Sequence, residues 1–130
     1  MSRTTWKAER DGQQWFVVNG KLPGYNDLHK HYITSYRIKR SAMENVGWHI
    51  KAARIEPVDC LVDIRIDCYE KHRRRDVDNV FSGACKIIED SLQRCGILKG
   101  DGQKYVRSVT GNVSVDSENP RVEVIIRRAK

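Results

Sequence analysis

Asp59-Cys60-Leu61-Val62-Asp63-Ile64-Arg65-Ile66-Asp67-Cys68-Tyr69-Glu70 decides the fold. Cys60, Val62, Ile64, Ile66 and Cys68 recur at every second position, and Asp63, Arg65 and Asp67 fill the alternate ones. That period predicts a strand over 59–70 with one face in a core and one face wet. Its far end runs straight into Lys71-His72-Arg73-Arg74-Arg75-Asp76-Val77-Asp78-Asn79, a dense basic run abutting two aspartates. The period then changes. Val80, Ala84, Ile87, Ile88, Ser91, Leu92 and Cys95 form one helical stripe, and Gly96 stops it.

Working outward, Ile38, Ala42, Val46, Ile50 and Ala53 mark an amphipathic helix from about Arg37 to Arg54, ended by Pro57. Trp15 to Val18 reads as a short strand ending at Asn19-Gly20, and Leu22 to Asn26 as a loop. Gly100-Asp101-Gly102 is a turn before a strand from Tyr105 to Asp116, with Val109, Val113 and Val115 on one face. Ser117 to Pro120 turns the chain into a last strand carrying Val122, Val124 and Ile126, expected to form a hairpin with its predecessor. The expectation is an α+β fold in the order β-α-β-α-β-β, with a single mixed β-sheet and two main helices. The 130 residues fit one domain, 1–130, with residues 1–14 polar and expected to fray.

Twenty-four Lys+Arg against 17 Asp+Glu give a formal charge of +7, which suits a polyanionic partner without requiring one. The four cysteines have no CxxC spacing and no histidine at finger-like distance, so they read as reduced core thiols rather than a zinc site. No stretch approaches membrane-span length and the first residues lack an apolar leader core, so the expected location is cytoplasmic, with no membrane partner. His29, His31, His49 and His72 read as satisfied or exposed side chains rather than ligands. Trp6, Trp15 and Trp48 are too scattered in sequence to define a base-stacking platform, although one could stack on an unpaired base.

Carboxylates repel phosphates, so a chain built only to grip nucleic acid has no use for Asp76 and Asp78 among its cations. Simple phosphate binding predicts the arginines; metal-assisted phosphodiester cleavage predicts both. Asp78 also has a plain structural reading, as the N-cap of the following helix. Asp101 is a candidate third acid, provided that its strand runs beside the acidic loop. Lys99 and Lys104 flank it and repeat the theme of cations around an acid. Asp78, Ser82 and Lys86 form a row on one helix face, so Lys86 could steady a phosphate oxygen, although the pattern alone favours a solvated lysine. Lys71, Arg73, Arg74 and Arg75 are the expected phosphate contacts. Asn79 could orient an acid, and Asn26 could contribute from the upstream loop.

At these residues the chain resembles the RusA family of Holliday junction resolvases, common in bacterial prophages. Leu22 to Asp27 is similar to the family's Pro-x-x-Asn loop. Arg73 to Asn79 is similar to its Arg-Asp-x-Asp-Asn motif, and Gly96 to Asp101 to its Gly-(apolar)-(apolar)-x-x-Asp segment. The resemblance implies a bacterial or phage-encoded crossover junction endodeoxyribonuclease. It implies that Asp76, Asp78 and Asp101 hold Mg2+, with Mn2+ as a substitute, and that Lys86 takes the role of a catalytic lysine. That lysine stands four residues later than in shorter members, one helical turn or roughly 5 Å along the axis. It also implies a homodimer that makes paired nicks in four-way DNA junctions, matching the near two-fold symmetry of the substrate. A non-catalytic nucleic-acid-binding module of the same fold, or an interaction protein that ignores nucleic acid, are the other readings.

Overall fold

The computed structural model describes residues 12–129. The elements run β1 (Gln13–Asn19), α1 (Tyr32–Ala52), β2 (Val62–Glu70), α2 (Val77–Arg94), β3 (Val106–Val115) and β4 (Arg121–Arg128), with a 3-10 turn at Asp27–His29. This is the expected α+β order around one mixed four-stranded sheet.

The hairpin does not form. The sheet order is β1-β4-β2-β3, so β4 lies between β1 and β2, antiparallel to both. β3 pairs with the other edge of β2 in parallel. Apolar load explains the arrangement. Val122, Val124 and Ile126 of β4 are all buried, whereas β3 buries only Val106 and suits an edge. The 116–120 turn therefore crosses the end of β2: the Asp116 N–H donates to the Glu70 carbonyl at 2.8 Å. Arg121 clamps the crossing, its guanidinium 3.9 Å from the Tyr69 ring centroid and bonded to Asp116 and Glu123 at 2.8 Å each.

Both helices cover one face of the sheet. Phe16 and Val18 of β1, Ile64 and Ile66 of β2, Val46 and Ile50 of α1, and Ile87, Ile88 and Leu92 of α2 share one core. The other face carries paired charges, such as Arg107 with Asp63 and Arg65 with Asp67.

Some boundaries move. Gln13 and Gln14 belong to β1 instead of fraying, because the buried Gln14 amide exchanges two hydrogen bonds with the Glu56 backbone, at 2.9 and 2.7 Å. Residues 1–11 lie outside the described residues. β2 starts at Val62 rather than Asp59, since the Val58 N–H bonds to the Ile97 carbonyl at 2.9 Å, away from the sheet. α1 starts five residues earlier than its apolar pattern, because its first turns are solvent-facing (Tyr32 and Tyr36 are exposed) and carry no periodic signal. α2 ends as Gly96 predicts: Gly96 takes a positive φ, the Ile97 N–H reaches back to the Leu92 carbonyl at 2.8 Å, and the Gly96 N–H to Gln93 at 3.0 Å.

Candidate functional site

The site is built at the exit of β2. Glu70, the last strand residue, is buried, and its carboxylate takes two hydrogen bonds from Arg75, both 2.9 Å. Arg75 also lies 3.7 Å from Asp27. It therefore pins the basic loop to the sheet and to the 3-10 turn. Arg75 is 15% exposed and is engaged as a structural clamp, unlike Lys71, Arg73 and Arg74, which have no ion pair among the described residues. Asp27 is held below its ordinary carboxylate range, first by the Gly24 N–H bond and then by Lys30 and Arg75.

With Arg75 fixed, the chain enters α2 at once. The N-cap is Asp76, not Asp78; the Val80 N–H closes the first turn on the Asp76 carbonyl at 3.0 Å. Aspartate at this position ordinarily bonds an orphan backbone N–H. Asp76 makes no such bond, and its side chain is exposed. Asp78 is exposed in the same turn. Neither carboxylate has an ion pair among the described residues, in contrast to Asp27, Asp63, Asp67, Glu70, Asp90, Asp116 and Glu123. Lys71, His72, Arg73 and Arg74 are exposed beside them, and no ion pair engages Lys71, Arg73 or Arg74 among the described residues.

The Pro-Gly-Tyr-Asn loop docks on this helix end. The Asn79 side-chain oxygen accepts the Asn26 N–H at 2.8 Å, and its carbonyl accepts the Tyr25 N–H at 2.8 Å. Asn79 thus holds the loop rather than an acid, and Asn26 meets the site through its backbone, its side chain being exposed. Gly83 makes the approach possible: a Cβ there would overlap the Pro23 carbonyl and the Gly24 backbone. Gly83→Ala is expected to destabilise the fold by about 2 kcal/mol, overpacking outweighing the gain in helix propensity. Chemical denaturation checks this; a stabilised variant would contradict the close approach.

The remaining predicted residues fall further away. Lys86 is 3.3 Å from Asp90, which also takes Lys39 of α1 at 2.8 Å. It leans along α2 away from Asp78, which lies eight residues or about 12 Å up the axis. Asp101 does not join the pair. β3 does run beside β2, but in parallel, so its start lies beside Val62 and not beside the acidic loop: the Val62 N–H bonds to the Tyr105 carbonyl at 3.0 Å. Lys99, Asp101 and Lys104 precede that start, whereas Lys71 follows the other end of β2, about 25 Å along the strand. Asp101 sits instead within electrostatic reach of Glu89, whose carboxyl is pushed up by burial first and then by Asp101 and Asp90. Among the described residues no three His, Cys, Asp or Glu side chains gather to hold a metal ion. The exposed, unpaired oxygen donors of Asp76 and Asp78 do suit a hard cation, since Mg2+ binds through one or two carboxylates with water and phosphate completing its shell.

All four cysteines are free, and burial pushes the Cys68 and Cys85 thiols up to about 12, which rules out these two as thiolate nucleophiles near neutral pH. No helix among the described residues is long and apolar enough to cross a membrane. The chain matches no protein-family model and no curated protein.

Sequence reasoning missed the Glu70–Arg75–Asp27 clamp. The signal available was the unusual acid at an inward strand position, since Glu70 continues the buried parity of Val62 to Cys68.

Proposed function

We propose that this protein is a Mg2+-dependent, structure-selective endodeoxyribonuclease that acts as a homodimer on four-way DNA junctions, in DNA recombination and repair. The observation that carries the reading is Asp76, an N-cap aspartate that does not cap, next to an equally unengaged Asp78 and three exposed cations. Asp76 and Asp78 are the residues that would hold the Mg2+, which when bound would supply water activation and neutralisation of charge on the scissile phosphate. The α2 N-terminus adds partial positive charge at the same place. Lys71, Arg73 and Arg74 draw in and position the backbone, while Arg75 keeps their loop in place. Lys86, on the same helix face as Asp78 and about 12 Å along the axis, acts on flanking phosphate through its charge.

The second reading is a binding module of the same fold without chemistry. The separation of Asp101 from the Asp76–Asp78 pair favours it. An end-labelled synthetic junction and a linear duplex of the same sequence, each incubated with and without Mg2+, separate the two: the enzyme nicks the junction only, and only with metal.

Binding should be steeply salt-dependent. Replacing Arg73 and Arg74 together with alanine is expected to flatten the plot of log affinity against log salt by about 1.8, roughly 0.9 per lost phosphate contact. Anisotropy titrations across a salt series measure this slope, and an unchanged slope would remove both arginines from the interface.

A further inference from the structure

The α1–α2 seam, on the far half of α2 from Asp76, carries a second feature. An open groove of about 640 Å3 is lined by Met43, Trp48 and Lys51 of α1 and by Ser91, Arg94 and Cys95 at the end of α2. Trp48 is 75% exposed. Ser91 is 1% exposed and sits in the groove wall. Past Met43 and Arg94 the groove continues to Tyr36, itself 64% exposed, and to Lys39 and Arg40. Of the four cations that line the run, Lys39 is paired with Asp90 and Arg40 with Glu44, which leaves Lys51 and Arg94. Lys51 and Arg94 have no ion pair among the described residues.

We infer that this groove binds an unpaired nucleic-acid strand, with Trp48 and Tyr36 stacking on bases and Lys51 and Arg94 holding phosphates. Flat exposed rings beside unpaired cations match a nucleotide: a base π-face and a phosphate. In duplex DNA the base faces are covered by their neighbours, so only an unpaired segment offers them. Charge complementarity argues for this occupant over an uncharged apolar one. Ser91 lies fifteen residues from Asp76, about 22 Å along α2, so the groove is a separate surface. It deepens the nuclease reading, on which it rests for its partner class, by giving the protein a hold on strands frayed at a branch point.

The test uses labelled oligothymidylate as the single strand and a blunt duplex as control, with fluorescence anisotropy as readout. Wild-type protein is expected to bind the single strand. Trp48→Ala is expected to weaken it about tenfold, and Arg94→Glu by at least as much, with duplex affinity changed less than twofold under Trp48→Ala. Circular dichroism verifies that both surface variants fold. Equal single-strand affinity in wild type and Trp48→Ala overturns the inference, as does no single-strand binding at all. A wild-type dimer that dissociates on Trp48→Ala in sedimentation equilibrium also overturns it, because the groove is then a subunit interface. Single-strand binding that depends on Trp48 in a protein that never nicks junctions supports the groove while removing the nuclease reading.

Discussion

Asp76→Asn is expected to reduce Mg2+-dependent nicking of a four-way junction roughly 10^3-fold, with junction binding unchanged or tighter. The size follows from losing several kcal/mol of metal-centred charge stabilisation, at about 1.4 kcal/mol per decade of rate. On the proposed reading, tighter binding follows from removing a negative charge that would face phosphate and has no ion pair among the described residues. Asparagine serves as well as aspartate at an N-cap, and Asp76 makes no capping bond to lose, so stability should stay within about 0.5 kcal/mol. Asp78→Asn should behave alike in activity and additionally lose about 0.3–1 kcal/mol of helix-dipole stabilisation. Single-turnover nicking on a pre-bound junction isolates the chemical step. If Asp76→Asn nicks at the wild-type rate, the pair is only a helix-start feature.

Arg75→Ala should be the most destabilising change near the site, costing about 3–5 kcal/mol, because it leaves the buried Glu70 carboxylate without its two hydrogen bonds. Thermal unfolding should fall by about 10–20 °C on that cost. The lost contact to Asp27 would also free the 3-10 turn from the basic loop. Replacing both partners with apolar residues, Glu70→Leu with Arg75→Met, should recover most of the loss, since no uncompensated charge remains. A loss under about 1 kcal/mol for Arg75→Ala is what a solvated surface pair gives, and would return Arg75 to the free phosphate contacts.

The clamp shows where a sequence stops being legible. Alternation over Val62–Cys68 fixes a strand and its inward face, and the stripe from Val80 to Leu92 fixes a helix, because burial imposes period on both. Nothing local distinguishes Arg75 from Arg73 and Arg74; its partners are an acid five residues back and Asp27, far upstream. Strand partners are equally silent: β3 and β4 both alternate, but the pairing depended on which strand was apolar enough to sit in the middle. Asp101 is a candidate third acid from its Gly-Asp-Gly turn, on a condition of strand placement, and the family resemblance points to the same residue. The strand is where it was needed, and its parallel direction carries Asp101 to the other end. Trp48 stands isolated in the sequence because the groove beside it is shared with α2, more than forty residues later.

The central claim is that this is a metal-dependent junction nuclease. A Mg2+ titration of wild-type protein on a strand-labelled four-way junction tests it most directly. The account predicts no nicks without metal, then paired nicks at symmetric positions in opposing strands as Mg2+ rises, with Mn2+ able to substitute. A protein that binds the junction and leaves every strand intact at all Mg2+ and Mn2+ concentrations would contradict it and leave the binding module in its place.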